Sequence, residues 1–167
     1  NRSCFFVVQK LYKLLVKIKY IYRANIKVNG TPVRYIGNQI EDAYFCLTDM
    51  VKDLDGESNY YLRSWLRNQS TLNFIEVWEV EYNEEFKTIE FDSFKLKSGQ
   101  NSFMPSVSAL SNLGCKSLFS KKGKYGGIYA HVAIAFHFAN WLSPKFYLGF
   151  IIAFIENNAF SVKRLWS

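Results

Sequence analysis

The sequence contains few of the residues that build disulfide frameworks, metal sites or membrane spans. Its 167 residues include three cysteines, three prolines and two histidines. Sparse, widely spaced cysteines of odd number argue against a disulfide framework and against zinc, and they indicate reduced thiols in the cytoplasm. No apolar run reaches the ~20 uncharged residues that a membrane helix needs. We therefore expect no stable membrane insertion, no metal and no cofactor.

Acidic residues are missing from two long parts of the chain. Residues 1–23 contain six basic residues and no acid, which accounts for +6 of the formal net charge of +7. Residues 93–155 contain seven lysines and no acid, whereas residues 76–92 contain seven acids and one lysine. A one-sided basic segment suits a polyanion, although a merely solvated face gives the same pattern.

Catalytic patterns are also missing from the sequence. His131 and His137 are six residues apart, so they lie ~120° apart on a helix, with no Glu or Cys in metal-ligand register. Glu85 and Lys87 match only a fragment of a metal-dependent nuclease motif. The glycines at 123–127 lack the Gly-Lys-Ser/Thr ending of a phosphate-binding P-loop, and no nucleophile–base pair can be read. We expect no enzyme activity, with a nuclease left as the open alternative.

The most distinctive stretch is residues 121–131, KKGKYGGIYAH. Its two adjacent glycines permit positive φ and a close approach of the backbone to a neighbour or a ligand. Lysines neutralise phosphates, and tyrosine hydroxyls and backbone N–H groups can bind them. Core packing for Tyr129 and a capping role for His131 are the alternatives. The candidate DNA contacts here are Lys121, Lys122, Lys124, Tyr125, Gly126, Gly127, Tyr129 and His131.

The chain before this stretch predicts a β-hairpin followed by short helices. Residues 33–47 alternate as two strands, and Thr48 and Ser58 are predicted N-caps. A third helix is expected from residue 70 or 71, with Phe74, Ile75 and Trp78 inward. Short helices with short turns indicate a helix-turn-helix-like unit or an ordinary helical hairpin.

Two arginines are the candidates for reading DNA bases. Arg63 and Arg67 lie four residues apart, so they project from the same side of the second predicted helix. Arginine can bond guanine through two hydrogen bonds, whereas two solvated arginines are the simpler interpretation.

The rest of the chain predicts one irregular region and a helical end. The acidic region from residue 81 to 92 leaves room for a short strand. Pro105 suits the first turn of a helix, and residues 117–127 could be a wing or a flexible loop. Residues 128–142 and 145–157 are predicted to be two mostly apolar core helices, separated at Ser143-Pro144.

The first 23 residues are interpreted as a basic apolar lead outside the domain, because no methionine precedes Met50. We take this lead to be non-native or a reading-frame extension, so the domain covers residues 24–160 and leaves a tail at 161–167. As a helix the lead could also bind a membrane surface. Its apolar and basic faces would be formed by Leu11, Leu14, Leu15, Ile18 and by Lys10, Lys13, Lys17.

Several short pieces of the sequence occur in a distinctive order: YFCLTDM at 44–50, WLRN at 65–68, VWE at 77–79, NSF at 101–103, KYGGIYAH at 124–131, AIAF at 133–136 and WLSPKF at 141–146. In this order they resemble the KilA-N domain. Ile128 stands where that family often has Thr, and His137 where it often has an acidic residue. The family occurs in phages, large DNA viruses and bacteria, is regarded as DNA-binding, and is related to the fungal APSES domain.

The resemblance implies a non-catalytic module of a phage, viral or bacterial mobile-element protein that binds double-stranded DNA in the cytoplasm. We expect an α+β fold with an N-terminal β-hairpin, a helix-turn-helix-like unit, a basic wing-like loop and two buried C-terminal helices. A protein partner through a further C-terminal domain is also expected. The alternative is a protein-interaction module without nucleic-acid binding. Steep weakening by salt would distinguish DNA binding from apolar docking.

Overall fold

The structure is a computed structural model that describes the backbone of residues 22–37 and 39–165. Side chains are described for residues 24–37 and 39–158. The predicted helical faces of the basic lead therefore lie outside the described residues. So do the side chains of the predicted tail at 161–167.

Five strands of the described chain form an antiparallel sheet in the order β1-β2-β3-β5-β4. The short central strand β3 pairs with β2 on one side and β5 on the other. It thereby joins an N-terminal hairpin, β1–β2, to a second hairpin, β4–β5. The strands are β1 (Tyr22–Val28), β2 (Thr31–Gly37), β3 (Tyr44–Cys46), β4 (Leu118–Lys121) and β5 (Gly127–His131).

Seven α-helices accompany the sheet within the described residues, and the α+β class is confirmed. Only two residues, Arg67 and Asn68, separate the second helix from the third.

No described helix combines the length and the apolar character needed to cross a membrane. The helices are α1 (Leu47–Val51), α2 (Ser58–Leu66), α3 (Gln69–Tyr82), α4 (Thr88–Lys95), α5 (Val107–Asn112), α6 (Val132–Leu142) and α7 (Pro144–Leu165).

Helix α6 lies at the centre of the core. Its Phe138 is buried against the buried indole of Trp65 from α2, with ring centroids 5.0 Å apart. Helix α7 is buried along one side, where Phe150 meets Phe45 of β3 edge to face. Its other side is exposed along Leu148, Ile152 and Ile155. The expectation of two buried helices thus holds for α6 and for one face of α7.

Two predicted secondary structures are wrong. Residues 128–131 were expected to begin a helix, but they belong to β5, and α6 begins at Val132. The apolar run from Ile128 to Leu142 has no period that separates strand from helix, so pairing with β3 and β4 decides. Residues 88–95 form α4 rather than a short strand, and Phe91 is its buried residue.

Several predicted boundaries and orientations also change. The predicted hairpin at 33–47 is present, because β2 pairs antiparallel with β3, but an additional strand, β1, precedes it and pairs with β2. Thr48 lies inside α1, and Ser58 is the first residue of α2 rather than its N-cap. Phe74 is exposed instead of inward. Pro105 precedes α5, whose N-cap Ser106 accepts from the Ala109 amide at 3.1 Å.

Candidate nucleic-acid interface

The turn of the β4–β5 hairpin presents the lysines to solvent. Lys121 ends β4, and Lys122, Lys124 and Tyr125 are exposed in the turn. The Gly126 amide donates to the Gly123 carbonyl at 2.7 Å, which closes the turn. The Lys124 ammonium lies 5.5 Å from the centre of the Tyr125 ring. The hairpin therefore ends in a compact cationic tip.

Both adjacent glycines are required by space. A Cβ at Gly126 would lie 2.8 Å from the carbonyl oxygens of Lys121 and Gly123. A Cβ at Gly127 would lie 2.7 Å from the sulfur of Cys46, and the φ of Gly127 is +147°. That φ belongs to the region that favours glycine. Gly126 therefore lets the turn close on itself, and Gly127 lets the hairpin lie directly against β3.

An ion pair between β2 and α1 holds the tip from behind. Arg34 of β2 donates from Nε to Asp49 Oδ2 at 2.7 Å and from Nη2 to Oδ1 at 2.8 Å. The same Nη2 donates to the Gly126 carbonyl at 3.1 Å. Burial raises the pKa of Asp49, but the hydrogen bonds from Arg34 outweigh it and leave that pKa below its usual value. The Asp49 bond is also the main reason that the pKa of Arg34 is raised.

A second bond from α1 holds the start of β5. The Ile128 amide donates to the hydroxyl of Thr48 at 3.0 Å. Thr48 was expected to cap its own helix, but its hydroxyl is used here by a strand that is distant in sequence. Helix α1 thus supplies both Thr48 and Asp49 to the hairpin.

Helix α3 holds both ends of the hairpin base through adjacent residues. The carboxylate of Glu79, which is fully buried, accepts from the amides of Lys116 at 2.8 Å and Ser117 at 2.7 Å, just before β4. The indole of Trp78 donates to Nδ1 of His131, the last residue of β5, at 3.1 Å. The hairpin is therefore fixed to the inner face of α3.

Both histidines accept hydrogen bonds from tryptophan. His131 Nδ1 also accepts from the Ala133 amide at 3.2 Å and caps α6, while His137 Nδ1 accepts from the Trp65 indole at 3.1 Å. Burial lowers the pKa of both histidines. Both are neutral acceptors in this arrangement. Within the described residues no group of three or more potential metal ligands occurs.

A cleft of about 380 Å³ connects the hairpin with helix α2. Arg63 lines it on one side and Ser106, at the start of α5, on another. Ser120 of β4 and Ile128 of β5 complete the hairpin side. Arg67, the residue that follows α2, is exposed and does not line the cleft. The cleft therefore brings one predicted arginine, not both, to the hairpin.

The family model of the KilA-N domain matches residues 31–160 of the chain. The chain belongs to the KilA-N family. KilA-N domains are generally linked to DNA binding and are generally non-catalytic. The matched range contains α1, the α2–α3 pair and the whole β4–β5 hairpin. No curated protein and no solved structure shows significant similarity to the chain.

The predicted site residues of this KilA-N domain divide by exposure. The lysines, Tyr125 and Arg63 are at the surface around the hairpin and its cleft. Tyr129 is 2% exposed, and its hydroxyl donates to the Tyr125 carbonyl at 3.0 Å, so its side chain faces the interior. Gly126, Gly127 and His131 are engaged in holding the hairpin.

Sequence reasoning missed the residues that support the hairpin. Arg34 sits in a predicted strand, and Asp49 directly follows the predicted N-cap Thr48. Glu79 appeared as one acid among seven and as the last residue of the matching piece VWE at 77–79, without a structural role. A signal was available, because Asp49 and Glu79 lie among apolar neighbours at helical spacing. A carboxylate at such a position is predicted to be buried and therefore to need a hydrogen-bonding partner.

Proposed function

We propose that this KilA-N domain binds double-stranded DNA, with the lysine-bearing turn of the β4–β5 hairpin and helix α2 contacting one duplex. The shared cleft carries the proposal, because Arg63 on α2 and Ser120 on β4 line the same depression. A duplex lying across it would meet both elements at once. In this view α2 and α3 act as a helix-turn-helix-like pair and the hairpin as a wing.

The lysines serve affinity and the arginine serves selection. Lys122 and Lys124 are exposed at the tip, where ammonium groups can neutralise phosphates and release counterions. Lysine bonds to phosphate carry little sequence information. Arg63 is exposed on α2, and a guanidinium can bond the O6 and N7 atoms of guanine in the major groove.

The supports behind the hairpin favour a preorganised interface. Arg34, Thr48 and Glu79 bind backbone groups at the tip, the start of β5 and the approach to β4. A hairpin held at three points loses less conformational freedom when DNA binds, because it is already ordered. We therefore assign Gly126, Gly127, Tyr129 and His131 to positioning rather than to DNA contact.

The test is a triple replacement of Lys121, Lys122 and Lys124 by alanine. Affinity should fall for all DNA sequences alike. The slope of log K against log salt should decrease by up to ~3, because each phosphate that a lysine no longer neutralises lowers it by ~0.9. Fluorescence anisotropy with a labelled duplex across a salt series measures both quantities.

The matched control removes the same charge elsewhere. Lys27, Lys87 and Lys97 are exposed and lie outside the β4–β5 hairpin, so their triple alanine variant lowers net charge equally. It should leave the salt slope nearly unchanged. If both triple variants weakened DNA binding equally, the binding would depend on overall charge and not on the hairpin. If the hairpin variant bound DNA as the parent protein does, the protein-interaction alternative would be favoured.

A further inference from the structure

The outer faces of the neighbouring helices α3 and α4 both expose apolar side chains. Val77 is 67% and Val80 60% exposed on α3, and Ile89 and Leu96 are each 81% exposed on or just after α4. On each helix the two residues share one side, because they are three or seven positions apart. Isolated exposed apolar residues are ordinary, but a contiguous group of them commonly marks an interaction surface.

An ion pair joins these two faces. Lys95 of α4 bonds to the Glu76 carboxylate of α3 and lies 3.3 Å from Asp92. Val80 is one turn beyond Glu76 and shares its side of α3. Leu96 follows Lys95 and projects about 100° further round, on the exposed side of α4. The result is a two-helix surface, which we call the α3–α4 surface: Val77, Val80, Ile89 and Leu96 around the Glu76–Lys95 pair.

The charge of the α3–α4 surface is negative. Glu76, Glu81 and Asp92 contribute three carboxylates, and Lys95 contributes one ammonium. The exposed neighbours of Ile89 and Leu96, Glu90 and Lys97, add one charge of each sign. Glu81 is exposed one turn along α3 from Val77. DNA is repelled by such a surface, whereas a cationic partner is attracted to it.

We propose that the α3–α4 surface binds a basic amphipathic helix of a partner protein. Apolar residues of such a helix at i, i+3, i+4 and i+7 would cover the four exposed side chains. Lysines or arginines beside that stripe would meet Glu81 and Asp92. The surface is separate from the cleft that contains Arg63, so this inference does not rest on DNA binding.

The test uses the full chain and a labelled 18-residue peptide with leucines along one helical face and lysines along the other. Fluorescence anisotropy should detect saturable binding. A Val77→Ser, Ile89→Ser double variant should bind the peptide at least tenfold more weakly and should bind DNA as the parent protein does. Charge reversal by Glu81→Lys should also weaken binding of the peptide.

Matched controls lie on α7. The Leu148→Ser, Ile152→Ser pair removes similarly exposed apolar groups, and Glu156→Lys reverses an exposed acid; both should leave peptide affinity unchanged. A peptide with glutamates in place of the lysines should not bind. Absence of binding, or equal loss in the α3–α4 and α7 variants, overturns the proposal.

Two other occupants give different results. If the Val77→Ser, Ile89→Ser variant abolished self-association in sedimentation velocity, the surface would be an interface between copies of this chain. If replacing Lys10, Lys13 and Lys17 by glutamate strengthened peptide binding tenfold, the chain's own basic segment would be the competitor. Either result would overturn the proposal that a helix of a separate partner protein binds this surface.

Discussion

The β4–β5 hairpin and the α3–α4 pair carry opposite charges. The hairpin tip presents Lys122 and Lys124, with no acid between residues 93 and 155, whereas residues 76–92 hold seven acids. Despite this opposition the two regions are joined, because Trp78 and Glu79 on the inner face of α3 bind the hairpin base. The outer and inner faces of one helix therefore have different tasks.

Burial decides which task an acidic residue performs. Glu81 is exposed and contributes only surface charge, while Glu79, two residues earlier, is fully buried and accepts two backbone amides. Asp49 is likewise buried and binds Arg34 behind the hairpin tip. Acids thus support the cationic element from inside the protein, where they do not face DNA.

The largest expected effect comes from removing the link between the two regions. Glu79→Ala should lower the free energy of unfolding by about 3–5 kcal/mol, because the amides of Lys116 and Ser117 and the Asn83 side chain lose a buried acceptor. Urea unfolding measures the loss. Glu81→Ala is the control and should change stability by less than ~0.5 kcal/mol. Similar values for the two variants would contradict the division between inner and outer acids.

The next effect concerns the close approach of the hairpin to β3. Gly127→Ala should destabilise the fold by about 1–3 kcal/mol, because the new Cβ meets the Cys46 sulfur and the backbone φ is unfavourable. Gly123 also has a positive φ, but a Cβ added there would meet no atom within 4 Å. Gly123→Ala therefore measures the backbone strain without the clash. Thermal unfolding of both variants provides the comparison. Equal midpoints would show that the approach to Cys46 costs nothing.

The two arginines sharpen the assignment of the DNA face. Arg63→Ala should cost about 1–3 kcal/mol on the best DNA site and relax its base preference, because Arg63 lines the cleft beside the hairpin. Arg67→Ala should have the smaller effect, since Arg67 does not line the cleft. Selection from a random-sequence pool, followed by affinity measurements, ranks them. A larger effect at Arg67 would place the duplex elsewhere on α2.

The smallest effect is a pH dependence at the two tryptophan–histidine hydrogen bonds, Trp78–His131 and Trp65–His137. Burial depresses the pKa of His131 and His137, so the unfolded chain binds protons first as pH falls. Stability is fully present above the ordinary pKa of about 6.5 and declines below it, by at most ~1.4 kcal/mol per pH unit for each histidine. Chemical unfolding between pH 7.5 and 5 measures the slope.

A single replacement isolates one histidine. In His137→Asn the amide oxygen takes the place of Nδ1 and can still accept from Trp65, while the titrating group is gone. The slope should fall by the contribution of His137. Protonation of Asp49 also lowers stability, but in a separate, more acidic range. Because the pKa of Asp49 is lowered by folding, this loss begins only as pH falls below about 4. An unchanged slope would assign the dependence to other groups.

Charge and residue pattern made several parts of this protein predictable. The lysines around the paired glycines, the helix containing Trp65 and the stop at Ser143-Pro144 follow from local preferences along the chain. The strand at residues 127–131 does not, because an apolar run satisfies its backbone equally well as helix or strand. Only pairing with β3 and β4 selects the strand, and the same pairing determines that Tyr129 faces inward.

The sequence by itself determined the α+β class, the family and the positions of the basic and acidic segments, since these depend on composition and short motifs. The tertiary structure alone decided that Arg63 rather than Arg67 lines the cleft beside the hairpin. It also decided that Glu79 and Asp49 serve the hairpin. These are bonds between residues 15 to 92 positions apart, and no local preference specifies them. They form because buried carboxylates and amides must find partners wherever packing brings them.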